Sequence, residues 1–400
     1  MTNPLPVLRL KRGEERRLRA GHLWIYSNEV DIAATPLKDI PAGAQVIIED
    51  SRGKTLGRAY ANPHSLICAR LFSRSVKQKL NQAYFEKMIA QAVTLREQIF
   101  QHQCYRAVFG EADLLPGLVI DRFADTFVIQ SGTAGVDNVL EPIVAAIDKL
   151  YQPTNIIIKS ESSTREQEKL AADVRAVKGE LLTEISLVEN GVHYTAPLAE
   201  GQKTGWFYDH RAARRRIMPL AKDARVLDVF SYCGAWGVLA ATTGAAHVTC
   251  IDSSEKALDS VHRNALANDV GDKMRTVQAD AAEAMKELLS SGEKFDLVVI
   301  DPPAFIKRKK DFKAGLGGYH AINELATRLV EPGGVLVSAS CSMHLQRDQL
   351  LEVMRSSARH NDRYLQVFAS EGQAEDHPVH PAIPETNYLK SWFGRVLLNS

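Results

Sequence analysis

Short apolar runs alternate with stretches of helical periodicity through the C-terminal half of this chain. Each run has the length and composition of a buried strand, and each intervening stretch repeats its apolar residues at helical spacing. The alternation predicts βαβ units and a mostly parallel sheet. The expected strands lie at 225–230, 247–252, 274–278, 295–300 and 335–338, and a last apolar segment at 395–398 is expected to be an edge strand.

The preceding residues carry two other patterns. Residues up to about 73 are rich in β-type residues and turns, and those from about 74 open with an amphipathic helix that ends near Ile99. The chain is therefore predicted to form three domains, at 1–73, 74–185 and 186–400. Further strands are expected at 44–49, 65–71, 118–121, 126–130 and 155–159, and a second helix at 136–150.

The bulk composition sets limits on the class of protein. The chain has 400 residues, 45% apolar and 24% charged, which is ordinary for a globular protein. No apolar run reaches the ~18 residues of a membrane span, and the first residues are too charged for a signal peptide. The five cysteines form no C-x-x-C pair and no zinc set. We therefore expect no membrane segment, no metal, and a reducing, cytoplasmic location.

A basic segment near the N-terminus is a candidate RNA contact. The net charge of +1 gives no global signal for nucleic acid, but arginines and lysines cluster between residues 9 and 19 and are followed by Trp24. Basic side chains beside aromatic rings suit a phosphate backbone and unstacked bases, so Arg12, Arg16, Arg17 and Trp24 are predicted to contact RNA. The alternative is a solvated helix face followed by core aromatics. The segment resembles the PUA domain, a small β-barrel RNA-binding module.

Acidic residues recur at the strand ends of the C-terminal part. Asp228 leads into a turn with Gly234 and Gly237, Asp252 ends the next strand, and Asp280 follows the third. An acid at the second strand end can accept hydrogen bonds from ribose hydroxyls, which indicates a nucleoside cofactor at the switch point of the sheet. The alternative is that these acids only cap helices.

The turn favours one cofactor over another. It lacks a complete G-x-G-x-x-G and begins with an acid, which would repel the pyrophosphate of NAD. An acid at Asp228 suits the cationic end of S-adenosylmethionine, and the series of acids resembles the class I S-adenosylmethionine-dependent methyltransferases. The residues expected to contact the cofactor are Gln202, Lys203, Thr204, Phe207, Asp209, Arg211, Asp228, Phe230, Ser231, Tyr232, Gly234, Asp252, Ser253, Asp280, Asp301 and Pro302.

Two motifs at neighbouring strand ends carry the candidate chemistry. D-P-P-A-F follows one apolar run at 301–305, and S-C-S follows the next at 340–342. A thiolate at Cys341 could add to C6 of a cytosine and make C5 nucleophilic, while Asp301 protonates or hydrogen-bonds N3. Cys341 could instead be a small core residue. The predicted substrate contacts are Pro303 and Phe305 at the base, and Lys307, Arg308, Lys309 and Lys310 at phosphates.

Together these segments resemble bacterial large-subunit rRNA cytosine-C5 methyltransferases with an N-terminal PUA domain. The resemblance implies an α/β fold with a PUA β-barrel, a central α/β domain of strand–strand–helix–strand–strand type and a class I methyltransferase sheet. It also implies S-adenosylmethionine as cofactor, S-adenosylhomocysteine as product, 23S rRNA as partner and Cys341 as nucleophile, and it allows a homodimer. Two departures stand out. Cys233, Ala235 and Trp236 replace the expected threonine and glycines, and Pro303 occupies the place of a second cysteine.

Two other functions stay open at this point. An S-adenosylmethionine-dependent N-methyltransferase would use the D-P-P-A-F motif to clamp an exocyclic amine and leave Cys341 structural. A non-catalytic RNA-binding or assembly factor would only retain the fold. The methylated nucleoside distinguishes the first alternative, and cofactor binding distinguishes the second.

Overall fold

The chain forms two compact units. The computed structural model describes residues 5–199, 201 and 204–399. The chain up to Ile185, together with Leu198–Trp206 and Glu375–Thr386, forms the first unit. Ser186–Pro197, Phe207–Ala374 and the chain from Asn387 onwards form the second. The division into three domains at residues 73 and 185 stays a prediction.

The first unit contains two five-stranded sheets. One has the strand order β1-β3-β4-β5-β2, and the other has the order β10-β9-β8-β7-β6. Pairing is antiparallel except between β1 and β3 and between β8 and β9. The elements are β1 Val7–Arg9, α1 Glu15–Arg19, β2 Trp24–Ile25, β3 Ala44–Glu49, β4 Thr55–Ala61, β5 Ala69–Ser73, α2 Gln82–Ile99, β6 Cys104–Phe109, β7 Leu118–Phe123, β8 Thr126–Ser131, α3 Ala134–Asp137, α4 Leu140–Tyr151, β9 Asn155–Ser160, α5 Ser163–Gln167 and β10 Asp173–Lys178.

The predicted amphipathic helix is the long helix α2. The side chain of Asn81 accepts a hydrogen bond from the backbone N–H of Tyr84, which caps the helix start. Phe85, Ile89 and Val93 are buried at helical spacing and join the core of the second sheet. Leu95 and Ile99 are exposed, so the apolar pattern predicts the helix but only part of the face that it buries.

The second unit is built on a seven-stranded sheet. The order is β15-β14-β13-β16-β17-β19-β18. The five strands from β15 to β17 run parallel, whereas β19 is antiparallel to both of its neighbours. The elements are β11 Glu184–Glu189, β12 Val192–Pro197, α6 Arg211–Ala221, β13 Arg225–Val229, α7 Gly237–Thr242, β14 His247–Asp252, α8 Glu255–Ala267, β15 Met274–Gln278, α9 Ala281–Ser290, β16 Phe295–Ile300, α10 Phe312–Leu329, β17 Val330–Ser340, α11 Arg347–His360, β18 Arg363–Glu371 and β19 Lys390–Leu398.

The predicted parallel sheet is confirmed, and one expectation about its edge is wrong. The strands predicted at 247–252, 274–278 and 295–300 have the observed bounds. The segment at 395–398 belongs to β19, which lies between β17 and β18 rather than at an edge. The edge strand at this end of the sheet is β18, which the sequence does not predict because Tyr364, Val367 and Phe368 are exposed and break a simple alternation.

The core of this unit explains why the parallel strands are so apolar. Leu227, Val298 and Leu336 are fully buried in β13, β16 and β17 and pack with residues of α9 and α10. Because both faces of a parallel sheet are covered by helices, such strands read as continuous apolar runs. Among the described helices, none combines the length and apolarity needed to cross a bilayer.

Candidate active site at the strand ends of the second unit

The carboxyl ends of the parallel strands gather the predicted polar side chains at one edge of the sheet. Asp252 ends β14, Asp280 follows β15, Asp301 follows β16 and Cys341 follows β17. Asp228 lies one residue before the end of β13. In open α/β sheets ligands bind at this edge, where the strand order reverses. The geometry of each loop decides which side chains can act there.

The turn after β13 has a strained backbone. Phe230, Tyr232 and Gly234 have φ angles of 66°, 48° and 81°. The backbone N–H groups of Phe230 and Ser231 both donate to the carbonyl oxygen of Ile251, at 2.9 and 3.0 Å, which fixes the turn against β14. Left-handed residues other than glycine are uncommon and concentrate at functional sites. Phe230 and Tyr232 therefore hold an uncommon backbone conformation that a simple chain reversal would not require.

Gly237 brings helix α7 directly onto the sheet. Its backbone N–H donates to Oδ2 of Asp228 at 2.9 Å. A Cβ atom at this position would lie 2.6 Å from Sγ of Cys250 and 3.1 Å from Oδ2 of Asp228. Only glycine allows this close approach. The close packing of α7 on the sheet therefore requires glycine at this position.

Asp228 is a buried carboxylate with spare acceptor capacity. It is fully buried, and its Oδ1 atom has no hydrogen-bond partner among the described residues. Burial raises the pKa of Asp228 to about 7, the N–H of Gly237 opposes that rise, and the charges of Asp301 and Asp252 add to it. A cationic or hydrogen-bond-donating ligand group would favour the ionised form of this carboxyl group.

The other two acids of the series also have local roles. Oδ2 of Asp252 accepts from the N–H of Tyr232 at 2.9 Å, and Oδ1 accepts from that of Ser254 at 2.9 Å. These bonds orient the partly exposed carboxylate, and each oxygen keeps a further acceptor site. Oδ1 of Asp280 caps α9 by accepting from the N–H groups of Ala282 and Glu283. The helix-capping interpretation is thus correct for Asp280, and its predicted contact with the cofactor stays a prediction.

Asp301 is held by two buried side chains. Nε2 of His210 lies 3.2 Å from Oδ1 of Asp301, and Nε1 of Trp236 donates to Oδ2 at 3.1 Å. Burial alone would raise the pKa of Asp301. The charge and hydrogen bond of His210, together with the hydrogen bond from the indole N–H of Trp236, outweigh burial, so the pKa of Asp301 is lowered. Burial alone would lower the pKa of His210, but Asp301 and the charge of Asp209 raise it. Both shifts favour an ionised carboxylate beside a protonated imidazole.

The segment before α6 combines two predicted cofactor contacts with a buried ion pair. The ring of Phe207 packs edge-to-face on that of Tyr232, with centroids 5.6 Å apart. Oδ2 of Asp209 accepts from the Tyr388 hydroxyl at 2.5 Å. Arg214 donates to both carboxylate oxygens of Glu189, at 2.5 and 2.9 Å. Arg214 is therefore buried by its pairing, although it lies in an arginine-rich helix.

Arg211 shares the same buried carboxylate. Its Nε atom lies 3.4 Å from Oε2 of Glu189, and its guanidinium group stacks 4.9 Å from the centroid of the Tyr208 ring. Arg215 and Arg216 are exposed, as a solvated cationic face requires. The structure therefore gives Arg211 a packing role, and its contact with a cofactor stays a prediction.

Three predicted cofactor contacts cannot be placed at this edge. Gln202 and Lys203 lie outside the described residues. Thr204 belongs to the first unit, where it is fully buried and its hydroxyl donates to Oδ2 of Asp121. Ser253, the remaining polar residue of the prediction, is exposed directly after Asp252.

The D-P-P-A-F loop continues from Asp301 to an exposed basic segment. Pro302 is buried, Pro303 is exposed, and Phe305 is half-buried. The Phe305 ring lies 4.9 Å from that of Tyr319 and 6.4 Å from that of Phe230, measured between centroids. The four residues that follow Ile306 are all exposed and basic, namely Lys307, Arg308, Lys309 and Lys310.

Cys341 is the accessible thiol of the chain. All five cysteines lie in the described ranges, and the other four are buried. The Tyr319 hydroxyl lies 2.7 Å from Oγ of Ser340 and 2.9 Å from Oγ of Ser342, so it fixes both neighbours of Cys341. The N–H of Ile306 also donates to Oγ of Ser342, at 3.2 Å. These bonds join the loop that carries Asp301 to the turn that carries Cys341.

The predicted RNA contacts near the N-terminus divide into two groups. Arg12 and Arg16 are exposed. Arg17 instead pairs with Glu29 at 2.5 Å and stacks 4.9 Å from the Tyr26 ring centroid. Nε1 of Trp24 donates to Oε1 of Glu111 at 2.8 Å. Arg17 and Trp24 thus have structural partners within the first unit, which supports the packing alternative for these two side chains.

Three of the four residues that hold the two motifs in place carry no clear signal in the sequence. His210, Trp236, Tyr319 and Lys390 lie in different segments and act through tertiary contacts with the two motifs. Only Trp236 has a visible signal, since it departs from the glycine expected in the cofactor turn. The other three positions have residue types that are common in helices and strands.

Comparisons with known proteins agree with this architecture. Residues 8–74 match a family model described as a PUA-like domain, and residues 163–390 match one described as S-adenosylmethionine-dependent methyltransferase. Ribosomal RNA large subunit methyltransferase I of Klebsiella pneumoniae is 34% identical over 403 residues, covering 99% of this chain and 100% of that protein. The same-named protein of Yersinia pestis is 34% identical, covering 97% and 98%.

Solved structures share the complete fold. One, described as a methyltransferase in complex with SAH, has a TM-score of 0.83 and 21% identity, covering 98% of this chain and 100% of that one. Another, described as a SAM-dependent methyltransferase from Streptococcus mutans, has a TM-score of 0.82 and 20% identity, with the same coverage. At this level of identity the likeness concerns the fold alone.

Proposed function

This chain belongs to the family of S-adenosylmethionine-dependent methyltransferases that includes ribosomal RNA large subunit methyltransferase I, and from that premise we propose that it methylates C5 of a cytosine in 23S rRNA. The family establishes the cofactor and the reaction type. The nucleoside, the atom that receives the methyl group and the covalent route are our proposal. The observation that carries it is Cys341, a partly exposed cysteine directly after β17, whose neighbouring strand β16 leads into Asp301.

The residues at the sheet edge fit S-adenosylmethionine. The unpartnered, buried Oδ1 atom of Asp228 suits the cationic amino acid end of the cofactor. The spare acceptor sites of Asp252 suit the ribose hydroxyls, and the rings of Phe207 and Tyr232 suit the adenosine. When bound, the cofactor supplies an electrophilic methyl group on a sulfonium. Phe230, Ser231 and Gly234 would approach it through the strained turn.

Cys341 would supply the nucleophile that cytosine lacks. Its thiolate adds to C6, the ring becomes an enamine, and C5 can then take the methyl group. Loss of the C5 proton to a base restores the aromatic ring and expels the thiolate. Pro303 stands where related enzymes have a second cysteine, so this base is not a cysteine of the D-P-P-A-F motif. A base inside folded RNA must first be unstacked.

The Asp301–His210 pair would supply the proton that N3 of cytosine takes up when the thiolate adds. The lowered pKa of Asp301 makes it an acceptor, so alone it cannot donate a proton at neutral pH. The raised pKa of His210 keeps a proton on the neighbouring imidazole, 3.2 Å away. The pair can therefore pass a proton through Asp301 to N3 as the thiolate adds. Trp236 keeps the carboxylate oriented.

The basic surfaces support an RNA substrate. Lys307, Arg308, Lys309 and Lys310 form an exposed basic loop directly after the D-P-P-A-F motif, and Arg12 and Arg16 are exposed near the N-terminus. Such side chains bind phosphates and contribute affinity that depends on salt. The names of the curated relatives specify the large ribosomal subunit, which supports 23S rRNA as the substrate. The homodimer that the resemblance allows can be tested by sedimentation of the full chain.

The first experiment compares wild type with Cys341→Ala, using radiolabelled S-adenosylmethionine and unmethylated large-subunit rRNA. We expect labelled 5-methylcytidine from wild type and none from the variant. Cys104→Ala is the matched control, because Cys104 is a buried cysteine of the first unit. A methylated amine in both Cys341 forms would instead establish the N-methyltransferase alternative. If the wild-type protein binds RNA but does not bind S-adenosylmethionine, it is a non-catalytic factor.

A further inference from the structure

A buried lysine lies against the turn that carries the candidate nucleophile. Lys390 opens β19 and pairs in register with Ser340, the last residue of β17. Its side chain passes the end of β17, and Nζ donates to the carbonyl oxygens of Ser342 and Leu345 at 2.6 Å each. Lys390 is only 5% exposed. The lysine therefore fixes the backbone on the far side of Cys341.

The opposite side of the turn is fixed by neutral groups. The Tyr319 hydroxyl contacts Oγ of Ser340 and Oγ of Ser342, and the N–H of Ser342 donates to Oγ of Ser340 at 3.1 Å. Hydrogen bonds to hydroxyls set the position of the thiol but supply no positive charge. Lys390 is thus the buried cation that packs directly on this turn among the described residues.

The charges around the thiol are coupled to this lysine. Burial lowers the pKa of Lys390 to about 8, an anionic Cys341 opposes that change, and Arg347 adds to it. Tyr319 faces the thiol from α10, and burial raises the pKa of its hydroxyl with a further contribution from an anionic Cys341. His344 lies half-buried in the same turn.

We propose that Lys390 is a positioning residue that holds the Cys341 turn and stabilises the Cys341 thiolate with its buried ammonium group. A positive charge beside a cysteine favours the thiolate, which is the form that attacks an electrophile. The inference rests on the proposed role of Cys341 as nucleophile. A lysine that only satisfied two carbonyl groups would hold the turn equally well but would leave the ionisation of the thiol unchanged.

The test measures the ionisation of the thiol without any methyl transfer. The full-length protein is treated with iodoacetamide between pH 5 and 10, and alkylation of Cys341, which displaces iodide, is followed by mass spectrometry of peptides. The four buried cysteines are internal references. We expect a wild-type midpoint below the ordinary cysteine pKa of about 8.5. A midpoint at or above that value overturns the proposal without the need for a variant.

Two substitutions separate charge from hydrogen bonding. Lys390→Gln keeps N–H donors but removes the charge, and we expect the midpoint to rise by about one pH unit or more. Lys390→Arg keeps the charge, and its midpoint should stay near that of wild type. If Lys390→Gln folds and the midpoint of Cys341 alkylation is unchanged, the lysine has only a structural role. If Lys390→Gln fails to fold, the wild-type midpoint and Lys390→Arg still decide the question.

A second buried lysine provides the matched control. Lys159 is 1% exposed and donates to the carbonyl oxygens of Ala199 and Gly201, at 3.2 and 2.8 Å, in the first unit. Lys159→Gln should leave the Cys341 midpoint unchanged, and an equal shift in this variant would overturn the proposal. The proposed function fails on a different result, namely turnover by Cys341→Ala, so the two ideas can be rejected separately.

Discussion

The indole N–H of Trp236 donates to Oδ2 of Asp301 at 3.1 Å, so a residue of the cofactor turn orients the acid of the D-P-P-A-F motif. The same ring lies 5.7 Å from that of His210, measured between centroids. Trp236 is one of the residues that depart from the glycines expected in this turn. The departure therefore adds a link between the predicted cofactor turn and the predicted catalytic acid, and it joins His210 in holding that acid.

Replacement of this indole should weaken catalysis more than cofactor binding. Trp236→Phe keeps an aromatic ring but removes the hydrogen bond to an ionised carboxylate, which is worth about 1.5–3 kcal/mol. We expect kcat to fall about tenfold or more at 25 °C, because each 1.36 kcal/mol corresponds to about tenfold in rate. The Kd for S-adenosylmethionine, measured by calorimetry, should change little. A large loss of cofactor affinity with unchanged kcat would contradict this assignment.

The Asp301–His210 pair should give methyl transfer an alkaline limit. The pKa of His210 is raised, so the imidazole is charged below that pKa and loses its proton as pH rises through it. Turnover should therefore decline on the alkaline side in wild type. His210→Gln, which cannot titrate, should be slower at neutral pH and lack this limb in a plot of kcat against pH.

A surface histidine provides the control for this profile. His360 lies 3.0 Å from Glu324 on exposed helix surfaces, so it forms a histidine–carboxylate pair away from the strand ends. His360→Gln should retain the wild-type pH profile. If His210→Gln and wild type show the same alkaline limb, the proton on His210 plays no part in the rate-limiting step.

Most of the sheet could be predicted because a buried parallel strand has a distinctive composition. β14 and β16 are short apolar runs bounded by polar turns, so their bounds follow from local sequence. β15 lies at an edge of the sheet and buries none of its residues, so its place follows from the alternation of strands and helices rather than from apolar composition. β18 could not be found in this way, because an edge strand that exposes Tyr364 and Phe368 has no uniform face. Its place depends on antiparallel pairing with β19, which is a long-range contact.

The same distinction between local sequence and long-range contacts applies to the residues of the site. Asp252, Asp301 and Cys341 could be predicted since a position at a parallel strand end determines where a side chain lies. The partners that tune these groups, His210 and Lys390, come from segments remote in sequence and are brought in only by tertiary packing. Arg214 shows the converse, because local sequence places it in a run of arginines, whereas its burial depends on the distant carboxylate of Glu189.

The basic loop after the D-P-P-A-F motif should contribute to RNA affinity through phosphate contacts. Replacement of Lys307, Lys309 and Lys310 by glutamine removes three exposed charges. We expect weaker binding to large-subunit rRNA and a slope of log K against log salt that is reduced by about one for each lost phosphate contact. Filter binding at several salt concentrations measures this.

The control for the loop is a pair of substitutions on other exposed lysines. Lys286 and Lys222 are exposed and separated from the motif in sequence, in α9 and directly after α6. Their replacement by glutamine should leave the salt slope close to that of wild type, and S-adenosylmethionine affinity should be unchanged in both sets. Equal losses of RNA affinity in the two sets would mean that general charge, rather than this loop, attracts RNA.

The close approach of α7 to the sheet should make Gly237 intolerant of a methyl group. In Gly237→Ala the new Cβ would meet Sγ of Cys250 at 2.6 Å, and such overpacking typically costs about 1–3 kcal/mol in the free energy of unfolding. Cys250→Ala removes that sulfur, so the double variant should recover part of the loss in a denaturant titration. Gly317→Ala, where no atom lies within 4 Å, is the matched control and should not destabilise α10. Strictly additive losses in the double variant would show that the close contacts with Asp228 and Val248, rather than the clash with Cys250, set the requirement for glycine.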